Sequence, residues 1–298
     1  MKTPADLLEA ARRHGLSLST TQAELDQMGL DFLVLHATDE AGTRWIVRTP
    51  RRPEVYESSL VEARALRLVA PRLAPVLVPD WRVHERDVIA YPRLGGTPAV
   101  TLEEGLPMWN FVNPFDVQDA FIESFAQMLA RMQSITRDEA ERAGVPVKDI
   151  AETKEHFARA MEATREVLSP SDALWARWQR WLENDALWPE HLAMTHGDLH
   201  PGHMLVDTDP KLVGILDWTE AKFTDPSMDF AMFFGCFGKA ALEKMMARFE
   251  AAGGKTWPGL AEHAEERWVA SPALGAEWAL RTGNDAVLEF VKGMMAKE

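Results

Sequence analysis

The chain has 298 residues, 46% apolar and 26% charged, with 18 Gly and 18 Pro, enough to bury one large core or two modest ones and too ordinary for a disordered or fibrous protein. Its one cysteine, Cys236, excludes an internal disulfide and a cysteine-built zinc site. The net charge of −14 lies beyond residue 100: residues 1–100 hold 13 Lys+Arg and 13 Asp+Glu, the remainder 19 and 33. Nucleic acid is thereby a poor partner, and the second part carries either a solvated acidic face or a site for a cationic substrate.

Met1 to Leu18 is amphipathic and charged without an apolar stretch and cleavage site, and no run approaches the roughly 18 apolar residues that span a bilayer. A cytoplasmic protein with no membrane partner is expected. Thr3 and Pro4, with Asp6 in the first turn, Leu7, Leu8 and Ala11 in helical register and Gly15 beyond, predict a capped opening helix. Asp31 to Thr38 alternates and is rich in β-formers, Asp39 to Gly42 supplies a turn, and Thr43 to Thr49 returns as a hairpin partner. Arg51-Arg52-Pro53 ends that hairpin, and Glu54 to Ala70 has the composition of a helix that Pro71 stops. A second hairpin is expected from Val76 to His84, turning at Glu85-Arg86 and returning through Asp87 to Arg93.

Gly95-Gly96-Thr97-Pro98 breaks the pattern and marks a boundary between residues 1–95 and 96–298. Beyond it, Asn113-Pro114 is expected to cap a helix whose Phe121, Ile122, Phe125, Met128, Leu129 and Met132 form one apolar stripe. Glu152 to Leu168 and Leu174 to Leu187 read as helices, the second turning Trp178 and Trp181 into a core. A loop-rich stretch, Thr195 to Asp225, carries short β patterns at Met204 to Val206 and Leu212 to Leu216, after which helices resume. The class is α+β: a small β-rich lobe with one internal helix, a hinge, and a larger, mainly helical lobe, with ligands expected in the cleft between them.

The densest polar stretch is His196-Gly197-Asp198-Leu199-His200-Pro201-Gly202-His203, followed by Ile215-Leu216-Asp217-Trp218. Phosphoryl transfer needs a carboxylate beside the attacking hydroxyl and metal-holding groups that neutralise phosphate charge, and Asp198, His203 and Asp217 are candidates for these roles. His196, next to the proposed base, is expected to brace the loop by holding backbone carbonyls. The three histidines with Asp198 also match a transition-metal hydrolase cluster, which is the alternative reading.

These residues resemble the aminoglycoside phosphotransferase family, small-molecule kinases with a protein-kinase-like bilobal fold. The family's catalytic loop, H-G-D-x-x-x-x-N, lines up with His196-Gly197-Asp198 and puts His203 where the metal-binding Asn stands, while its second metal carboxylate falls on Asp217. The whole His196 to His203 run resembles the macrolide 2′-phosphotransferase branch, as do Asp217 to Ala221, Asp225-Pro226 with Asp229-Phe230, Gly29 to Phe32, and Arg48 to Pro53.

The resemblance implies transfer of the γ-phosphate of GTP, with ATP as a second donor, to the 2′-hydroxyl of a macrolide's amino sugar. Mg2+ is the implied cofactor and Asp198 the group that receives the hydroxyl's hydrogen bond. Lys2 is the only lysine in the first hundred residues, so the third-strand cation that grips phosphate falls to Arg48, with Glu62 in the following helix as its partner. No G-x-G-x-x-G occurs; Gly29, with backbone donors from Met28 to Asp31, stands at the corresponding turn. Tyr91, in Ala90-Tyr91-Pro92, is placed at the hinge that meets the purine through backbone groups. Asp225 reads as a helix cap, Asp229 as the group for the substrate's dimethylammonium, and Met108 and Trp109 as candidates for an apolar wall. Another hydroxyl kinase, for an aminoglycoside or amino alcohol, would share these residues, and Arg48, His203 and the missing glycine-rich loop also suit a nucleotide-binding pseudokinase.

Overall fold

In the computed structural model, which describes residues 2–20, 23–27, 29 and 31–296, helix α1 (Pro4–Arg13) starts at a reciprocal cap between Thr3 and Asp6. Five antiparallel strands follow in the spatial order β1-β2-β3-β5-β4: β1 (Glu24–Asp26), β2 (Phe32–Thr38), β3 (Arg44–Pro50), β4 (Val83–His84) and β5 (Ile89–Pro92). Alternation along β2 and β3 divides the sheet's faces. Leu33, Leu35, Ala37 and Val47 pack on Leu7, Ala10 and Ala11 of α1, whereas Phe32, Val34, Ile46 and Arg48 line a cleft.

The strands of the second hairpin are shorter than the sequence predicts. Pro75 and Pro79 have no N–H to give a ladder, and residues 76–81 leave this sheet, which the chain rejoins where the Arg82 N–H donates to Ala90 (2.8 Å). Leu77 instead bridges to Gly214, donating to the Val213 carbonyl (2.9 Å) and accepting from the Ile215 N–H (2.8 Å). Helix α2 (Pro53–Leu73) runs through Pro71, the expected stop, because a proline in the last turn forgoes only one intrahelical bond. It ends at Ala74, extended (φ −47°, ψ 133°) ahead of Pro75. The second half of α2 buries Ala65, Leu66, Val69 and Leu73 in the core of the helical lobe.

Gly95 and Gly96 carry the chain across to β6 (Thr97–Pro98), which pairs with β10 (Met204–Val206), itself paired with β11 (Leu212–Ile215). Gly96 has φ +92°, and a Cβ there would lie 2.7 Å from Val213 Cγ2, so the crossing requires glycine. A hairpin that the sequence reading does not foresee, β7 (Val100–Glu103) with β8 (Leu106–Trp109), comes next. Helix α3 (Asp119–Gln133) starts later than Asn113-Pro114: Asn113 accepts from the Phe115 N–H (3.0 Å) and closes a local turn instead.

Helices α4 (Arg137–Ala143), α5 (Ile150–Leu168) and α6 (Asp172–Glu183) follow. The last is shorter than the expected span to Leu187, because Asn184 leaves helical geometry and Asp185–Leu187 forms a separate 3₁₀ turn. Strands β9 (Ala193–Thr195) and β12 (Lys222–Thr224) pair to frame the polar loops. Helices α7 (Ser227–Ala251, kinked at Gly238), α8 (Leu260–Thr282) and α9 (Asp285–Met295) complete an α+β arrangement of a small antiparallel sheet against a helical body. No described helix is long and apolar enough to cross a membrane.

The apolar stripe of α3 is buried as its spacing predicts, with Phe125 against Phe233 of α7 at 4.9 Å between ring centroids. Phe125→Ala is expected to cost about 3–5 kcal/mol in urea unfolding, and a loss below about 1 kcal/mol would place this contact outside the cooperative core.

Candidate active site

The turn from β9 into the polar loop is held from beneath by Asp229, near the head of α7. Asp229, 1% exposed, accepts the backbone N–H groups of His196 (3.0 Å) and Gly197 (3.0 Å). A Cβ on Gly197 (φ +92°) would meet the Glu220 carbonyl oxygen at 2.5 Å, so no larger residue fits. His196, fully buried, ties the loop sideways: Nδ1 accepts from the Asp198 N–H (3.1 Å), and Nε2 donates to the Leu216 carbonyl (2.9 Å). Burial, reinforced by His203, pushes its pKa down to about 3.

Asp229 therefore does not hold a substrate ammonium, as the sequence reading expects. Both its oxygens are engaged by the backbone and the side chain is closed off from solvent. Burial pushes its carboxyl up to about 6 against those two donors. Asp225 accepts from the Ser227 N–H (2.9 Å), as a cap would, and also pairs with Arg267 (2.7 Å) and His263 (2.9 Å) inside the core. Burial opposes its charge, but Arg267 and His263 hold the carboxyl well below the usual range.

The loop brings Asp198, His203 and Asp217 together. His203 Nδ1 is 3.6 Å from Asp198 Oδ2, and its Nε2 is 3.8 Å from Asp217 Oδ2. Burial, with Asp217 and Glu220 adding repulsion, raises the Asp198 carboxyl above its ordinary range. At Asp217 burial is outweighed by His203, Thr219 and Arg48, which hold the carboxyl below that range. One carboxylate is thus tuned to accept a proton and the other to remain an anion. Asp217 itself sits at φ +57°, a left-handed conformation imposed on a non-glycine residue.

His203 Nδ1 lies 3.0 Å from the Asp198 carbonyl, which can only accept, so in the neutral ring Nε2 is left bare toward Asp217. Two ligand atoms about 2.1 Å from a shared octahedral ion are about 3 Å apart at right angles and about 4.2 Å apart when opposite. The observed 3.8 Å matches neither, so His203 or Asp217 would have to shift slightly to share an ion; by ligand type, an imidazole nitrogen with a carboxylate oxygen suits a divalent cation. Asp198, His200 and His203 also offer ligand atoms within 4.8 Å of one another. His200 Nδ1, however, accepts from the Gly202 N–H (3.0 Å), which leaves the proton on Nε2, and both nitrogens of His196 are engaged. A three-histidine hydrolase centre is not assembled.

Arg48 of β3 pairs with Glu62 of α2 at 2.8 Å, the two being 7% and 0% exposed. Its guanidinium lies 4.4 Å from the Phe32 ring centroid, 4.8 Å from Trp81 and 5.7 Å from Tyr91, an aromatic box suited to a weakly hydrated cation. Burial pushes the Glu62 carboxyl up even beside Arg48, and the Thr219 hydroxyl reaches the same oxygen (3.4 Å), coupling α2 to the Asp217 loop. Arg48 Nε and Glu62 Oε1 are buried without partners, and the unused donor at Nε fits an anionic ligand such as phosphate.

These groups line a cleft of ≈ 720 Å³ that runs from Gly29 and Arg48 in the sheet lobe to Asp198, Asp217 and Trp278 in the helical lobe. Met28 and Leu30, the other expected loop donors, lie outside the described residues. Tyr91 is corrected in one respect: its backbone is paired with Ile46 in the β3–β5 ladder, so its ring is what reaches the cleft. Burial pushes its phenol up to about 12. Trp109 packs on Phe237 of the helical core (5.6 Å), whereas Met108 is exposed.

Arg51, Glu220 and Trp278 are given no site role in the sequence reading. Arg51 donates to the carbonyls of Gln27 (2.6 Å) and Gly29 (2.9 Å), the second of which lines the cleft. Glu220 lines the cleft beside Gly197, its side chain 60% exposed. Both stand within runs quoted above, but nothing in a run says which way a side chain turns. Trp278 enters from α8 and has no local signal at all.

A nucleotide-sized cleft between a sheet lobe and a helical lobe, with a buried cation–carboxylate pair on one wall and two carboxylates flanking an imidazole on the other, defines a phosphotransferase with a protein-kinase-like fold. The chain belongs to the phosphotransferase enzyme family (APH), whose profile matches residues 23–263. Two solved structures are similar over nearly its whole length. Macrolide 2′-phosphotransferase MphH from Brachybacterium faecium is 33% identical with a TM-score of 0.87, covering 98% of this chain and 97% of that one. A type I macrolide 2′-phosphotransferase is 36% identical with a TM-score of 0.89, covering 99% and 98%. The uncharacterized protein YcbJ of Bacillus subtilis (strain 168) is 36% identical over 279 residues, 93% of this chain and 90% of that protein.

The buried neutral His196 makes a pH prediction. With a folded pKa of about 3 against roughly 6.5 when unfolded, the unfolded chain binds the extra proton between these values. The stability due to His196 is complete above roughly pH 6.5 and declines as pH falls, by up to about 1.4 kcal/mol per unit. In urea titrations from pH 7 to 4.5, His196→Gln is expected to show the shallower decline; parallel curves would remove the buried imidazole from this role.

Proposed function

We propose that the protein transfers the γ-phosphate of GTP to the 2′-hydroxyl of a macrolide's amino sugar and so inactivates the antibiotic. The observation that carries this reading is the meeting of Asp198, His203 and Asp217 on one wall of a cleft whose other wall holds the Arg48–Glu62 pair. Similarity along nearly the full chain to two macrolide 2′-phosphotransferases supports the acceptor; GTP, with ATP a second donor, is carried over from the motif resemblance to that branch. Residues 1–95 then serve as the nucleotide lobe and 96–298 as the catalytic and substrate lobe of a cytoplasmic enzyme.

Arg48, steadied by Glu62, meets the α- and β-phosphates with its unused Nε, and the Gly29 turn covers them. The Tyr91 ring and Ile46 bound the purine end of the cleft. His203 and Asp217 would hold a divalent cation, Mg2+ in the reading from resemblance, which would supply charge neutralisation on the phosphates. Asp198 accepts the hydrogen bond of the acceptor hydroxyl, aims it, and takes its proton late, a task its raised basicity suits.

With Asp229 closed off, the cleft-lining carboxylate next to Asp198 is Glu220, and it takes the dimethylammonium group in exchange for Lys222, now 3.2 Å away. Leu102, Leu106 and Met108 on the β7–β8 hairpin, all exposed, offer the macrolide an apolar wall.

Incubation with GTP, Mg2+ and a panel of macrolides, aminoglycosides and amino alcohols, followed by mass spectrometry, is expected to show one added phosphate on macrolides alone. Asp198→Asn should retain nucleotide binding and lower kcat by about 10²–10⁴-fold. Unchanged turnover would remove Asp198 from its role, and nucleotide binding without transfer to any acceptor would make the protein a pseudokinase. Glu220→Gln should raise the macrolide KM about fivefold and leave the nucleotide KM unchanged. An equal change in both would take Glu220 away from the acceptor.

A further inference from the structure

We infer that the cation site beside Asp198 selects manganese(II) over magnesium. The inference rests on the phosphotransferase reading above and on the hydrogen bonds that three histidines make with the backbone. His196 spends both nitrogens on the Asp198 N–H and the Leu216 carbonyl. His200 accepts the Gly202 N–H at Nδ1, so its Nε2 carries the proton. His203 Nδ1 lies 3.0 Å from the Asp198 carbonyl, which can only accept, so when the ring is neutral the bare nitrogen is Nε2, 3.8 Å from Asp217 Oδ2. Of the three, only His203 offers a bare nitrogen to the cleft.

That ring has little freedom to turn the nitrogen away. It is 19% exposed, held by the 3.0 Å bond at Nδ1, and packed on His200 with ring centroids 3.8 Å apart. The protein's contribution to the ion is therefore one imidazole nitrogen and one carboxylate oxygen. Magnesium binds oxygen almost exclusively and dehydrates reluctantly, so a fixed nitrogen is a poor ligand for it. Zinc is satisfied by three or four protein ligands in tetrahedral array, which this wall does not supply. Manganese(II) keeps the six-coordinate, oxygen-rich geometry that phosphates and water provide, and as a softer transition-metal ion it tolerates a single imidazole nitrogen better than magnesium does. The departure from an asparagine at position 203 thus becomes a choice of metal.

The test uses the full chain with GDP and either Mn2+ or Mg2+. Electron spin-echo modulation of the Mn2+–GDP complex is expected to show coupling to an imidazole nitrogen. The coupling should vanish in His203→Asn and persist in His200→Asn. In competition titrations followed by the Mn2+ resonance, the wild type should prefer Mn2+ over Mg2+ by about tenfold more than GDP alone does, and His203→Asn should lose most of that margin. Thermal melts of each variant show whether it is folded, and Asp217→Asn should weaken both metals alike. GDP bound with Mn2+ but without nitrogen coupling, or an unchanged preference in His203→Asn, overturns the inference and leaves the phosphotransferase reading intact. Absence of GDP binding with either metal overturns both.

Discussion

The active-site loop stands on a buried carboxylate. An ionised group without a counter-charge is costly inside a protein, and Asp229 lies in the core, where burial raises its pKa to about 6. It is retained because its two oxygens fix the direction of two consecutive N–H groups, those of His196 and Gly197, and thereby the path of the chain into Asp198. The charge is not isolated. Arg267, which pairs with Asp225, also favours the ionised form of Asp229, so one arginine from α8 steadies two acids at the head of α7. His196 completes the support by joining the Asp198 loop to the Leu216–Asp217 loop, so the two reactive carboxylates are set by one rigid connection.

The sheet lobe solves a related problem with different chemistry. A lysine on the third strand would be a compact, strongly hydrated cation; the chain has Arg48 there instead and surrounds it with Phe32, Trp81 and Tyr91. Aromatic faces lower the cost of stripping water from a guanidinium, and Glu62 supplies the counter-charge. The pair is not saturated, since Arg48 Nε and Glu62 Oε1 lack partners. The unused donor at Arg48 Nε is left available to an anionic ligand, while Glu62 Oε1, an acceptor, gains nothing from one. Arg51 acts on the same side, donating to the Gln27 and Gly29 carbonyls.

Much of this was legible before any coordinates. The opening cap, the first hairpin and the α3 stripe follow from local rules because their signals lie within a few residues of one another. Where two local rules competed, a distant partner decided. Pro71 did not stop α2, because the second half of that helix is buried in the helical core and Pro75 supplies the break. Val76 to His84 reads as a strand, yet Leu77 is taken by Val213 and Ile215 across the lobe boundary. At the site, Asp198, His203 and Asp217 are visible because motif and spacing name them, whereas Asp229, expected at a substrate ammonium, is bonded to the His196 and Gly197 N–H groups. An acid near a helix start can point at solvent, at a ligand or at a neighbouring loop, and spacing alone does not distinguish these.

Sequence alone determined the two-lobe order, the residue types available for phosphoryl transfer and the absence of a strand lysine, since composition and period depend only on neighbours along the chain. Tertiary structure decided which acid is buried and which faces the cleft, which histidine keeps a bare nitrogen, and where Trp278 and Glu220 come to lie. Those outcomes depend on hydrogen bonds and burial between segments tens of residues apart, and no local pattern encodes the partner at the far end.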